Sequence, residues 1–175
     1  MRKLLLGVLL SLTYVLPTYA AERYQIELVI FRQIDVQPVY SSRLAPDNWM
    51  GSANTLLPEQ LRSSLIDLYI QRLTPQNGYQ VILQRSWQQS KSPSFKHVAL
   101  SSGEESLGHF PVEGVFSIRQ DRTNEIKLDF WVNQFQPDGT ISTSEHFLQS
   151  AIAPYNELTF IDHGNLGAIV RIMQE

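Results

Sequence analysis

The sequence contains no cysteine among its 175 residues. A protein without cysteine forms no disulfide, no thiolate metal site and no cysteine nucleophile. It also lacks the residue that carries the lipid at the cleavage site of a bacterial lipoprotein. Thiol chemistry and lipoprotein anchoring are therefore excluded for this chain.

Clusters of lysine and arginine are missing as well. The chain has 14 basic and 17 acidic residues, and its formal net charge of −3 becomes −5 once Arg2 and Lys3 are left out. Nucleic-acid binding relies on a concentrated positive surface, and electrostatic docking on an anionic membrane needs the same feature. We therefore expect no nucleic acid and no membrane surface among the partners.

No apolar run is long enough to cross a bilayer. The longest one covers residues 4–16, whereas a membrane-spanning helix needs about 20 residues. A basic start precedes this run and small residues follow it, as in a secretory signal peptide. We predict that residues 1–20 are removed after Ala20 and that residues 21–175 reach the periplasm, with no membrane insertion afterwards. Release from the cell stays open.

Alternation of apolar and polar residues dominates the mature chain and predicts β-strands. In the strand predicted at 125–135, Ile126, Leu128, Phe130 and Val132 share one face, and polar residues share the other. The second half therefore reads as an antiparallel meander with one face in water. The predicted strands are 24–31, 79–87, 97–100, 112–120, 125–135, 142–152, 158–162 and 166–172.

A helix is predicted between the first two strands. Pro58 suits a first helical turn, and Pro75 and Gly78 suit an end. Apolar residues recur between them at helical spacing, namely Leu61, Leu65, Leu68, Tyr69 and Leu73. A strand, a helix and a strand in succession favour a β-α-β unit. We expect one α+β domain at 21–175, with the helix packed on one face of the sheet and a long irregular loop at 32–57.

The residues predict no catalytic machinery, no metal site and no cofactor. The chain has no G-x-S-x-G motif, and His97, His109 and His146 lack ligand spacing. Asp162 and His163 are adjacent, and neighbours in a strand point to opposite faces. They share a site only if the chain has already turned; otherwise they end a strand and brace the turn at Gly164.

Two motifs carry a resemblance to a known family. One is "Y-x-x-L-x-x-x-W-x-Q", matched by Tyr79, Trp87 and Gln89 with the leucine displaced to position 83; the other is "E-L-x-[FY]-[IL]-D-H", matched by 157–163. With the strand "YQIELVIF", in this order, they resemble the CsiV family of periplasmic peptidoglycan-binding proteins linked to cell shape. The resemblance implies a non-enzymatic accessory protein whose partners are peptidoglycan and cell-wall synthases or their regulators.

This chain departs from the family pattern in two places. Gly164 follows the Asp-His pair where the family tends to have proline, and the segment 149–156 contains none of the expected arginines. If those arginines meet carboxylates of the wall peptide, the chain should bind peptidoglycan weakly or differently.

Candidate ligand-binding residues follow from the motifs and from one aromatic side chain. Trp131 stands on the polar face of its strand, where it stacks on a sugar ring or packs under another element. A protein-binding adaptor without wall binding and a wall hydrolase using Asp162 and His163 are the alternatives. The candidates are Trp87, Gln89, Trp131, Asp162 and His163.

Overall fold

The computed structural model describes residues 22–175 and consists of two β-sheets with one core between them. The predicted signal peptide and its cleavage site lie outside the described residues. Nine strands are present: β1 (Arg23–Gln33), β2 (Asn54–Thr55), β3 (Tyr79–Ser90), β4 (Lys96–Ser102), β5 (Val112–Gln120), β6 (Asn124–Phe135), β7 (Ile141–Ile152), β8 (Leu158–His163) and β9 (Leu166–Gln174).

The first sheet has the order β3-β1-β9-β8 and the second the order β2-β4-β5-β6-β7. Neighbouring strands are antiparallel, except for the short parallel pair β2 and β4. A two-residue turn joins β8 to β9, and the positive φ of 64° at its first residue, Gly164, is that of a type II′ hairpin. Short connections of this kind keep consecutive strands adjacent.

The predicted alternation is confirmed where it places side chains in the core. Tyr24, Ile26, Leu28 and Ile30 on β1 are buried against the apolar face of β6, which carries Ile126, Leu128, Phe130 and Val132. Residues two apart in a strand share a face, so both strands bury the side that the sequence pattern indicates. The opposite face of β6 exposes Lys127 and Asp129.

The α+β prediction is wrong. About 55% of the structure is strand and 6% is helical, and no helix reaches seven residues. In the predicted helix, the structure has two 3₁₀ turns, Pro58–Gln60 and Pro75–Asn77, and one short helix, α1 (Asp67–Ile70). The β-α-β unit is also absent from the described residues, because β1 and β3 pair directly and antiparallel.

Tertiary hydrogen bonds explain why this segment does not form a helix. Buried Glu27 on β1 accepts hydrogen bonds from the backbone N–H groups of Leu65 and Ile66, and the Gln25 amide donates to the Ser63 carbonyl over 2.9 Å. These backbone groups would otherwise serve the helical ladder. The segment lies over the first sheet as an irregular cover that buries Ile66, while Leu61, Leu65, Leu68 and Tyr69 stay exposed.

The alternation in the strand predicted at 79–87 places Tyr79, Val81, Leu83 and Trp87 on one face, but a bulge in β3 divides them. Between Ile30 and Phe31 of β1 the register shifts, so that these residues pair with Leu83 and Val81. One extra residue on a bulged strand reverses the faces beyond it. Leu83 therefore lies in the main core with Trp87, whereas Val81 packs on the outside of the sheet near Phe31.

The chain between β1 and β2 lies along the second sheet. Ser41 donates its backbone N–H to the Ser144 carbonyl over 2.8 Å, and the Ala45 N–H donates to the Ser144 hydroxyl over 3.1 Å. Trp49 lies edge-on to Phe110 with 6.2 Å between ring centroids. Within 22–175, no helix has the length and apolar character needed to span a bilayer.

Candidate functional site

A groove of about 770 Å³ opens at the end of the sandwich where β1 begins and β3 ends. Its walls come from these strands, from β4 and from the segment that runs from β2 into the first 3₁₀ turn. We call it the end groove. Its lining residues are Arg23, Asn54, Thr55, Leu56, Leu57, Glu59, Gln60, Arg62, Gln88, Gln89, Ser90, Lys96, His97 and Val98.

The end groove is positively charged in a protein that is acidic overall. Three cations, Arg23, Arg62 and Lys96, line it against one acid, Glu59. Arg23 and Lys96 are exposed, and neither forms an ion pair within residues 22–175. Unpaired cations on the wall of a groove favour an anionic occupant.

Arg62 is held by the protein itself. Its guanidinium donates to the backbone carbonyls of Glu59 and Leu61 over 2.8 Å each and to the side-chain oxygen of Gln88, and it lies 3.8 Å from a Glu175 carboxylate oxygen. With several of its donors occupied, Arg62 shapes the wall of the groove. Arg23 and Lys96 are left as the groove cations without an ion-pair partner in the described part of the chain.

Glu22 lies next to Arg23 in sequence but does not neutralise it. Its carboxylate accepts the Tyr24 hydroxyl over 2.9 Å and pairs with Lys91 over 3.1 Å. The hydrogen bonds from Tyr24 and Lys91 hold the pKa of Glu22 below its ordinary value, and the one from Lys91 raises the pKa of that ammonium. Glu22 therefore stays ionised and engaged with its own partners.

Trp87 and Gln89 are brought together on β3, and Gln89 belongs to the lining of the end groove. Trp87 is fully buried, at 0% exposure, and its indole N–H donates to the Gln89 side-chain oxygen over 3.0 Å. Gln89 is 9% exposed, and its Nε2 has no hydrogen-bond partner within residues 22–175. A buried N–H group without an acceptor is uncommon in folded proteins and calls for an explanation.

Trp131 lies elsewhere, on the outer face of the second sheet. It pairs with Glu113, which is five residues along β5 from Ile118, the partner of Lys96; at 3.3 Å per residue this is on the order of 17 Å. Its ring stacks on His146 with centroids 3.8 Å apart, and His146 Nε2 lies 2.7 Å from an Asp129 carboxylate oxygen. We call Trp131, His146 and Asp129 the Trp131 face.

Beside the Trp131 face, a buried polar network attaches the loop before β5 to the sheet. The Glu113 carboxylate, at 0% exposure, lies 2.7 Å from His109 Nδ1 and accepts the Phe110 N–H over 2.8 Å and the Asn133 amide over 2.9 Å. Both of its oxygens have hydrogen-bond partners within this network, which holds the loop in place.

Asp162 and His163 are separated from the other candidates and from each other. Both belong to β8, so their side chains leave on opposite sides of the strand. His163 lies 2.9 Å from the Gln149 amide and stacks on Phe147, whereas Asp162 is exposed opposite Gly167. No pairing of the two as acid and base is present in this geometry.

The end groove and the Asp-His turn also lie at opposite ends of the sandwich. Gln89 pairs with Tyr24, whereas Leu166, the partner of His163, pairs with Arg32. These two positions are eight residues apart on β1, which at 3.3 Å per residue is on the order of 26 Å. A single small ligand therefore does not contact both motifs of the family resemblance.

The sequence did not point to Arg23 and Lys96, because they come from strands far apart in the chain and belong to no motif. Leu56 and Val98 give the groove an apolar surface between its polar walls. No group of three histidine or acidic side chains suited to a metal ion occurs within 22–175. The mixture of charged, polar and apolar side chains in the lining suits a polar organic ligand.

The comparison with protein families gave a match. A model of a family described as "Peptidoglycan-binding protein, CsiV" matches residues 61–175. Neither the search of curated proteins nor that of solved structures found a match.

Proposed function

Because the chain belongs to the CsiV family of peptidoglycan-binding proteins, we propose that it binds peptidoglycan in the periplasm through the end groove. The observation that carries this proposal is the charge of the groove. Its cations Arg23 and Lys96 have no acidic partner within residues 22–175, in a chain whose net charge is negative. Peptidoglycan offers matching groups, since its peptide stems carry free carboxylates.

The groove also supplies cations in place of the arginines that are missing from 149–156. The expected cations are absent from that segment, and the groove supplies cations from β1 and β4 instead. A carboxylate is recognised by charge and hydrogen-bond donors, whichever strand contributes them. On this proposal, cations still bind carboxylates of the wall, but the cations lie on other strands than the family pattern predicts.

The role proposed is that of a non-enzymatic accessory protein in wall assembly and cell shape. The separation of Asp162 from His163 supports it over the hydrolase alternative, since acid–base catalysis requires two groups directed at one reacting bond. For the location, the basic start and the apolar run at 4–16 support export. Cell-wall synthases or their regulators are the proposed protein partners.

A specific surface supports the protein-binding part of this role. Leu68 and Phe160 are 77% and 64% exposed, and Leu65 and Tyr69 are also exposed. Exposed apolar side chains of this size are typical of protein contacts when they lie close together. If wall binding fails, a protein adaptor using this surface becomes the better explanation.

Co-sedimentation with purified peptidoglycan sacculi tests the proposal. We expect the protein of residues 21–175 to pellet with sacculi, and the double variant Arg23→Glu, Lys96→Glu to remain in the supernatant. Arg43→Glu with Arg72→Glu is the matched control, because it changes the net charge equally at exposed arginines outside the groove. Failure of the wild type to pellet would contradict wall binding, and equal loss in both double variants would contradict the groove as the site.

A further inference from the structure

The orientation of the Gln89 side chain is fixed by its neighbour in the core. An indole N–H can only donate a hydrogen bond, so the Gln89 atom 3.0 Å from Trp87 Nε1 must be the carbonyl oxygen. Rotating the amide by half a turn would place two donors against each other. Trp87 is fully buried and packs edge-on to Phe116 with centroids 5.2 Å apart, so the indole has little room to move.

This arrangement leaves the NH₂ group of Gln89, a residue that lines the end groove, as an unused donor. Nε2 is buried without an acceptor in residues 22–175, and Gln89 itself lines the groove. A buried donor left without a partner loses its hydrogen bonds to water and gains none in return, which is unfavourable. A ligand that supplies an acceptor recovers that free energy, so the site is prepared for a hydrogen-bond acceptor.

Two further groups of the groove without a partner in residues 22–175, the side-chain cations of Lys96 and Arg23, have the same polarity. The ammonium of Lys96 and the guanidinium of Arg23 donate hydrogen bonds and accept none, and neither has an ion-pair partner in the described chain. Sugar hydroxyls donate as well as accept and carry no charge, so they have no need of two cations. A carboxylate accepts from all three groups and is attracted by the charge.

We propose that the end groove binds a free carboxylate of the peptidoglycan peptide stem, with the Gln89 NH₂ as a specific donor and Trp87 as the residue that positions it. This inference rests on the proposed function and adds that the peptide, and not the glycan strand, is recognised. It also gives the Trp-x-Gln motif a physical meaning: the buried indole fixes the amide oxygen and so leaves the buried NH₂ as the free donor.

The variant that tests the donor is Gln89→Glu. A glutamate at this position keeps an oxygen for the Trp87 N–H but replaces the NH₂ with a second, negatively charged oxygen. We expect binding of soluble disaccharide-peptide fragments of peptidoglycan to weaken by about tenfold or more, because a charge-assisted hydrogen bond becomes a repulsion. Gln134→Glu is the matched control: it is an identical change at an exposed residue of β6 outside the groove.

The ligand is tested by changing its carboxylates. Calorimetric titration should give tight binding of the acidic fragments and binding about tenfold or more weaker for the same fragments with their carboxylates converted to primary amides. Equal affinity for both fragments, or for glycan strands stripped of peptide, would overturn the inference. So would an unchanged affinity in Gln89→Glu.

Co-sedimentation with native and with amidated sacculi distinguishes a failure of this inference from a failure of the proposed function. If the wild type pellets with native sacculi and equally with amidated sacculi, peptidoglycan binding stands and carboxylate recognition is wrong. If it pellets with neither and binds no fragment, both proposals are wrong. The prediction is pelleting with native sacculi and its loss on amidation.

Discussion

The end groove and the Trp131 face each combine aromatic and polar side chains. They differ in whether these side chains have stacking, hydrogen-bond or ion-pair partners within the described residues. On the Trp131 face, the ring stacks on His146, and His146 bonds to Asp129. In the end groove, the Gln89 NH₂ and the two cations have no partner within residues 22–175. This difference is the reason why we propose the end groove, and not the Trp131 face, as the binding site.

The largest expected effect concerns the network beside the Trp131 face. Glu113→Gln places an amide NH₂ against the donors that surround the carboxylate, so we expect the free energy of unfolding to fall by about 2 kcal/mol. Urea unfolding followed by circular dichroism measures it. Glu105→Gln, at an exposed position in the same loop, should change little.

Binding of the same variant to sacculi tests whether the Trp131 face takes part in wall binding. Folded Glu113→Gln should pellet with sacculi as the wild type does, because the network serves the fold. If the variant is folded but stays in the supernatant, the Trp131 face takes part in binding and the comparison fails.

A smaller effect is expected for the residue that positions Gln89. Trp87→Phe keeps an aromatic ring in the core but removes the N–H, so the amide is free to turn its oxygen toward the groove. We expect the preference for acidic over amidated fragments to fall about fivefold, the equivalent of about 1 kcal/mol for one hydrogen bond. Calorimetric titration with both fragments gives the ratio.

Phe116→Leu is the control for this variant, since Phe116 packs against Trp87 without contacting the groove. It should lower stability and leave the preference unchanged. An equal loss of preference in both variants would show that Trp87 acts through the packing of the core alone.

The smallest effect is expected for Trp131→Ala. Its ring already has a partner in His146 and lies on the order of 17 Å along the sheet from the groove, so co-sedimentation with sacculi should change less than about twofold. A loss of more than about tenfold would make Trp131 a binding hot spot and would move the site to the outer face.

The strands were predictable because their faces are set by local alternation. The pattern of β6 places Ile126 and Phe130 in the core and Lys127 in water, as the structure does. The helix prediction was wrong because the side chains of Glu27 and Gln25, distant in sequence, form hydrogen bonds with backbone groups that a helix would use. The spacing of apolar residues in the sequence does not show that tertiary hydrogen bonds compete with the local helix propensity.

The site was predictable only in part, for a similar reason. The family resemblance points to Gln89 and Trp87, but not to the hydrogen bond between them. Arg23 and Lys96 join them only after β1 and β4 are brought to the same end of the sandwich. Asp162 and His163, although adjacent in sequence, are directed to opposite sides by the strand they share.

The most direct test of the account is a titration of ¹⁵N-labelled protein with acidic disaccharide-peptide fragments, followed by NMR. The side-chain NH₂ signals of Gln89, assigned by their loss in Gln89→Glu, should shift together with the backbone signals of Arg23 and Lys96, while the Trp131 indole signal stays in place. Shifts at Trp131 with none at Gln89 would contradict the end groove as the binding site.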